Sequence, residues 1–570
     1  MLALIRKLSI YRYRGWIGLG IALLFALLSI PSSAQRFGSQ VPAAFDHSPL
    51  NSYCQQSAEA IARKEQLRQQ AGGSDAAWAA YTQMVAEHRR ALSECRQRRW
   101  PPIQAIWLRL YACDANPGAL EKVLDRIVNL GYNRVFIETF YDGRVILPQG
   151  DPWPSILPSV DLLDQALTLA RRRGLSAYAW LFSLNFGYSY GERPDRQAAL
   201  ARNGSGNTTI LDPATASLEQ LEQQAGPDQV FVDPFHPQAR QDYARLVEQV
   251  LARRPDGILF DYIRYPRSSG SASVASNVKD LWIHGEAAAQ AFRNLGSNPA
   301  SQALLDRYRQ QGYITTQDVL TLDQQFPDQT VAWRPADSGL SGASSNPSPS
   351  PEDELVGDRG WALGNASGEE PLDSSPEERV VSPVQRELVR EASPAPTPSA
   401  SPSPSPTPSA EVRQATWQPQ LWQLAVDFAR FGILDFLRAA TSPAQTQGIP
   451  AGAVFFPDAN ASVQSGYDSR LQPWDQFDAQ LEWHVMAYAK CEDASCVAQQ
   501  VQRVIEAAPA ETLICPALAG LWGQSLRQRP MLEVQMQTLQ QQFPRLTCVS
   551  HFAYSWIEPQ IAQERQRCQP

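Results

Sequence analysis

Short apolar segments alternate with amphipathic helical ones from Trp100 onward, and this alternation constrains the fold more than any other feature of the chain. Gln104–Leu110 (QAIWLRL) predicts a buried strand, and Gly118–Leu130 a helix closed by Gly131. Arg134–Glu138 (RVFIE) is the next strand, Val160–Arg173 the next helix, and Ser176–Leu181 (SAYAWL) the third strand. After a polar loop come a helix over Pro237–Arg253 and a strand over Gly257–Asp261 (GILFD). Such a pattern marks a parallel sheet covered by helices, because strands buried on both faces read as nearly continuous apolar runs.

The alternation stops near residue 270 and resumes near 416. Between them lie helical patches at Val278–Leu295, Ser301–Gln311 and Thr316–Gln325, then an acidic, Ser/Pro-rich tract ending in SPAPTPSASPSPSPTPSA at 393–410. So little apolar content cannot offset the entropy of ordering, and the tract is expected to be disordered or polyproline-like. Beyond it come a helix over Gln418–Ala440 and strands at Ala451–Phe456 and Trp483–Ala487. Helix Ala498–Ala508, strand Leu513–Ala517, helix Pro530–Gln542 and strand Cys548–Ala553 complete the series. Four strands before the insertion and four after it predict one α/β domain, a (β/α)8 TIM barrel with a long disordered insertion after strand four. The alternative, two α/β domains joined by a linker, leaves each half without an obvious closed unit. The expected divisions are 1–34, 35–99, 100–269, 270–415 and 416–570.

The first division reads as an export signal. Arg6, Lys7, Arg12 and Arg14 precede an apolar run from Trp16 to Ile30, and Ser32 and Ala34 supply small residues for cleavage after Ala34. The run is short for a span of about 20 residues; if uncleaved, it would tether the protein to a membrane at its N-terminus. The expected location is therefore secreted, periplasmic or at the cell envelope. Eight cysteines fit an oxidising compartment. Cys54 and Cys95 bracket an expected helical hairpin, Ser52–Gln70 and Ser74–Arg98, turned at Gly72-Gly73, and a disulfide between them would close its open end. Cys491 and Cys496 flank a short loop and could pair; the partners of Cys113, Cys515, Cys548 and Cys568 stay open.

In a barrel of this kind the active site lies at the C-terminal ends of the strands. Those ends carry Glu138 after strand two, Trp180 and Asn185 at strand three, and Asp261, Tyr262 and Arg264 at strand four. Asp458 follows strand five, Tyr488 strand six, and Tyr554 and Trp556 strand eight. Carboxylates and aromatics around one rim suit carbohydrate chemistry, in which one carboxyl protonates the leaving oxygen and another attacks or activates water. A net charge of −8 argues against nucleic acid as a partner. The six histidines show no pair at metal-ligand spacing, so neither a metal nor an organic cofactor is expected. His484 and His551 sit in apolar strands as core residues, and Asp233 is expected to cap the helix that starts at Pro237.

Two segments, Phe231–Pro237 (FVDPFHP) with Arg240, and Asp256–Pro266 (DGILFDYIRYP), resemble the hallmark motifs of the family-10-type glycosyl-hydrolase-like proteins, exported barrels related to the α-amylase superfamily. Weaker matches are AIWL at 105–108, RVFIE at 134–138, AYAW at 177–180, YDSRLQPW at 467–474 and VMAY at 485–488. The resemblance covers roughly 100–270 and 415–556. It implies that Asp261 matches the strand-four nucleophile of α-amylase-type barrels. The Arg usual two residues before that Asp is replaced by Leu259, and Arg264 stands where it can supply the charge instead.

The expectation is an exported glycoside hydrolase-like protein acting on an envelope or extracellular polysaccharide. Asp261 would be nucleophile or base and Asp458 or Glu138 the acid. Tyr262, Arg264, Asn185, Trp180 and Tyr488 would hold sugar. The rival is a barrel that binds glycan or an envelope partner without cleaving it. A polysaccharide deacetylase ranks last, since its His/Asp metal set is missing.

Overall fold

The computed structural model describes residues 53–150, 152–210, 229–268, 270–338, 408–463, 466–526 and 528–567. The expected signal segment, residues 35–52 and the Ser/Pro-rich tract as far as residue 407 lie outside them; the tract's last residues, Ser409 and Ala410, instead cap and begin a helix. Eight parallel strands form the barrel: β1 Ile103–Arg109, β2 Arg134–Tyr141, β3 Ser176–Phe182, β4 Gly257–Asp261, β5 Ala451–Phe455, β6 Glu482–Ala487, β7 Ala517–Ala519 and β8 Cys548–Phe552. Each pairs with its neighbours in sequence, and β1 pairs with both β2 and β8, which closes the sheet. The pairing of β4 with β5, Leu259 beside Gly452, joins the halves across the insertion.

Helices cover the outside: α1 Ala58–Gln70, α2 Asp75–Arg98, α3 Ala119–Asn129, α4 Leu162–Arg172 and α5 Pro237–Leu251. Then come α6 Glu286–Arg293, α7 Pro299–Gln311, α8 Thr316–Gln325, α9 Ala410–Thr446, α10 Ser495–Ala507, α11 Leu532–Gln542 and α12 Pro559–Gln566. α1 and α2 form the expected hairpin, Ser57 and Ser74 capping their N-termini by accepting from Ala60 and Ala77. A Cys54–Cys95 disulfide closes it, and Cys491–Cys496 forms as well. Cys515, two residues before β7, pairs with Cys548 at the start of β8. Arg96, buried, ties the hairpin to the barrel by donating to the carbonyls of Gly131, Pro101 and Tyr53 and to Oε1 of Gln104.

Four expectations shift. The helix expected over Val278–Leu295 is confined to Glu286–Arg293, beginning after Gly285, with only a single tight turn at Val278–Asp280 before it. The seventh strand begins at Ala517 rather than Leu513: Leu513 and Cys515 do bond with Trp483 at 2.8 and 2.9 Å. Pro516 then interrupts the ladder, having no N–H to give. The helix expected at Gln418–Ala440 runs from Ala410 to Thr446, through Pro419 and Pro443. Tertiary bonds hold its early turns: Gln418 accepts from the Ile314 N–H at 2.8 Å, Gln414 donates to the Ile314 carbonyl at 3.0 Å, and Arg413 pairs with Asp323. Asp233 does not cap α5. His236 does so, accepting from Gln238 N–H. Asp233 instead accepts from the N–H groups of Phe235 and Ala288 at 2.9 and 3.0 Å, linking the loop before α5 to α6. Burial pushes its carboxyl up to about 6.

The interior of the barrel is layered by the pleat, since alternate residues of a strand face the same side. Ala105 and Trp107 of β1, Phe136 of β2, Tyr178 and Trp180 of β3, Leu259 of β4, Val454 of β5 and Met486 of β6 pack together inside. At the N-terminal end Glu482 accepts from the Tyr178 hydroxyl at 2.9 Å and pairs with Arg134, whose guanidinium lies 4.4 Å from the Tyr178 ring centre. His484, fully buried above it, bonds to Glu482, and burial lowers its affinity for a proton. His551 is bonded to the Tyr132 hydroxyl in the core.

Gly257 is required at its place in β4, since a Cβ there would come within 2.3 Å of the Tyr178 ring. Gly257→Ala is expected to lower stability by about 1–3 kcal/mol through overpacking, read as a lower urea midpoint at unchanged slope.

Candidate active site

The parity that fills the barrel also decides what looks out of it. Two residues beyond Trp107, Phe136, Trp180 and Leu259 stand Arg109, Phe182 and Asp261, which end β1, β3 and β4, and Glu138, three residues short of the end of β2. They surround a cavity of about 250 Å³ whose other walls are Tyr262, Arg264, Val454, Phe456, Met486, Tyr488 and Phe552, with Trp107 and Trp180 beneath. Its floor and sides are aromatic, with ring pairs Trp107–Trp180 at 4.8 Å, Phe182–Tyr262 at 4.4 Å and Tyr488–Phe552 at 5.8 Å. Trp556, more than a third exposed, stands edge-on to Phe552.

Asp261 ends β4 and is 7% exposed. Its Oδ1 accepts the N–H of Tyr262 at 2.7 Å and its Oδ2 the indole N–H of Trp180 at 3.1 Å. Burial pushes its carboxyl up to about 6; the Tyr262 N–H, Arg264 and Trp180 oppose the rise, and the charge of Glu138 adds to it. The backbone turns sharply there, Tyr262 having φ +54°, a left-handed conformation that costs a non-glycine residue energy. That turn lays the Tyr262 ring against Phe182.

Glu138 is buried and held by Arg109, which donates from Nε to Oε2 and from Nη2 to Oε1, the latter at 2.9 Å. Arg109 lies over the Tyr141 ring, 4.2 Å from its centre. Burial works against the charge of Arg109, and Glu138 outweighs it, so the guanidinium is held above its ordinary range. Tyr488 is half-buried, and desolvation together with the Asp261 charge raises its hydroxyl well above its ordinary value.

Six of the eight residues expected from the sequence thus meet in one cavity: Asp261, Glu138, Tyr262, Arg264, Trp180 and Tyr488. Two stand apart from its lining. The Asp458 side chain, 58% exposed, pairs with Arg470 at 3.0 Å. Asn185, buried, accepts from the N–H groups of Gly187 and Val230 at 3.2 and 2.9 Å and so shapes the loop after β3. Arg430 packs over the Tyr467 ring, away from the cavity. Arg109 is the residue that sequence reasoning missed. Its signal was present, a lone charge at the C-terminal end of an otherwise apolar strand. Among the described residues no group of three His, Cys, Asp or Glu side chains is placed to hold a metal ion. Nor is any helix among them long and apolar enough to cross a membrane.

No protein-family model and no curated sequence matches the chain. Solved structures do align with it. A hypothetical protein from Ruminiclostridium thermocellum is 14% identical over 29% of this chain and 81% of its own, with a TM-score of 0.22. α-L-Fucosidase isoenzyme 2 from Paenibacillus thiaminolyticus is 15% identical over 28% of this chain and 23% of its own, also at 0.22. An α-galactosidase from Thermus thermophilus in complex with stachyose is 17% identical over 32% of this chain and 36% of its own, at 0.20. The chain thus spans well under half the length of the two named enzymes. Likenesses this slight carry no argument about chemistry, which rests on the cavity itself.

The raised affinity of Asp261 for its proton gives a stability prediction of definite sign. Folding holds that proton more tightly than the unfolded chain does, so the contribution is fully present below about pH 4 and is lost as pH rises through about 6. A shift of about two pH units corresponds to about 3 kcal/mol. Asp261→Asn removes that penalty but forfeits one accepted hydrogen bond, which is about 1 kcal/mol. The variant should melt higher than wild type at pH 7.5 and lower at pH 4, measured by scanning calorimetry at both.

Proposed function

We propose that the cavity at the mouth of the barrel is the sugar-processing site of a glycoside hydrolase-like protein, acting on a polysaccharide outside the cytoplasm. The observation that carries this reading is Asp261: a buried carboxyl, pushed up to about 6 by its burial, in an aromatic cavity that a second carboxylate also lines. Glycoside cleavage needs one carboxyl that can deliver a proton to the leaving oxygen and a negative group to stabilise or capture the oxocarbenium-like centre. Environments that set two carboxyls apart assign these roles. Asp261 keeps its proton in mildly acidic solution and is the general acid. Glu138, fixed by Arg109, is the charged partner facing the developing positive centre. Trp107, Trp180, Phe182 and Tyr262 offer apolar faces to a sugar ring and exclude water from it. The motif DGILFDYIRYP supports a sugar-processing site through its resemblance to the family-10-type proteins; that resemblance gives Asp261 the nucleophile's part, and its raised affinity for a proton gives it the acid's instead. The N-terminal basic and apolar run with the disulfides supports an exported protein.

A second reading, a barrel that binds glycan without cleaving it, is favoured by one observation: Arg109 occupies both oxygens of Glu138. Reducing-end release from a panel of polysaccharides decides between them. Hydrolysis by wild type should fall as pH rises through about 6, as Asp261 loses its proton. Asp261→Asn should reduce the rate about 10²–10⁴-fold, with folding intact by circular dichroism. Glycan binding without release by either protein would establish the second reading.

A further inference from the structure

Five arginines are buried in the described residues: Arg96, Arg173, Arg264, Arg470 and Arg565. Four of them are neutralised or saturated by the protein. Arg173 pairs with Asp125, Arg470 with Asp468 and Asp458, and Arg565 with both oxygens of Asp114. Arg96 has no carboxylate but donates to four oxygens. Arg264 is the exception. It is 5% exposed, and its one side-chain hydrogen bond among the described residues runs from Nη1 to the carbonyl of Tyr265 at 2.9 Å. Among the described residues no carboxylate forms an ion pair with it; Asp261 acts on it only at longer range, and Arg470 and Arg267 add positive charge nearby. Its guanidinium is framed by the rings of Tyr262, Phe231 and Phe456, 4.6, 5.6 and 5.7 Å from their centres. Arg264 lines the cavity, so Nε and Nη2 are the donors left for whatever enters.

A buried cation without a counter-charge is costly to maintain, since its lost hydration is not replaced. A planar guanidinium with two unused donors matches the two oxygens of a carboxylate. The other charges of the cavity do not meet this need at contact: Glu138 already balances Arg109, and the oxygens of Asp261 accept from Trp180 and the Tyr262 N–H. Resting on the sugar-processing reading above, we propose that the site is built for an acidic sugar, whose carboxylate is received by Arg264 while its ring lies on the aromatic walls beside Asp261. The small cavity accommodates one such unit.

The test is calorimetric titration of the protein with D-glucuronate, its uncharged amide D-glucuronamide, D-glucose and acetate, at constant ionic strength. Glucuronate should bind at least about tenfold more tightly than glucuronamide or glucose, the strength of a charge-assisted hydrogen-bonded pair. Arg264→Gln should erase that preference, so that glucuronate and glucuronamide bind the variant equally, a loss of about tenfold for glucuronate relative to its amide. The glucuronate–glucuronamide comparison needs no mutation, so it stands even where the variant fails to fold. Equal binding of charged and uncharged sugars overturns the acidic-sugar proposal and leaves the glycan site standing. Acetate binding as tightly as glucuronate overturns it too, as the mark of an anion site without a sugar site. Binding of none of the sugars overturns both readings.

Discussion

Side-chain alternation in a closed sheet is the constraint on which the site depends. Once β1 to β4 are paired in register, the residues that fill the barrel's middle determine, two positions on, those that face its mouth. Trp107 in the core places Arg109 at the rim; Phe136 places Glu138; Leu259 places Asp261. A slip of one residue in β4 would turn Asp261 toward the helices and bring Phe260 into the cavity. Register therefore specifies the chemistry as well as the packing.

The rim is electrostatically uneven. On one side Arg109 and Glu138 form a closed pair, held in place by two hydrogen bonds and a stacked tyrosine. On the other, Asp261 and Arg264 come from a single short segment, separated by a left-handed turn at Tyr262, and do not neutralise one another at contact. Two opposite charges three residues apart would ordinarily meet. Here the turn sends the carboxylate to Trp180 and the guanidinium among aromatic rings, so both stay available to a third party.

Much of this was legible in the chain. The eight strands were, because each is an apolar run bounded by Gly, Pro or a polar turn, and β4 matches its expected bounds. β7 was displaced because Pro516 acts through a missing donor, an effect that hydrophobic patterning does not register. Helix α9 was underestimated for the opposite reason: Pro419 signals a boundary locally, while bonds to Ile314 and Asp323, about a hundred residues away, hold the earlier turns. The site divided in the same way. Residues on strand ends could be placed by parity, whereas Asp458 and Asn185 sit in loops whose course depends on Arg470 and on the backbone near Val230. Arg109 went unread because a lone arginine in a strand looks incidental until its partner on β2 is known.

The pairing of β4 with β5 has a consequence for the architecture as a whole. Strands adjacent in the barrel belong to stretches of chain far apart in sequence, and α8 packs against α9 on the far side of the break. The positions of residues 338 and 408 are thus dictated from within the folded body, whatever connects them. Because the entropy of closing a loop grows only logarithmically with length, each doubling of the connection costs about 0.6 kcal/mol. The join between the two half-barrels is therefore a port where material can be spliced into the gene with little consequence for the enclosed cavity.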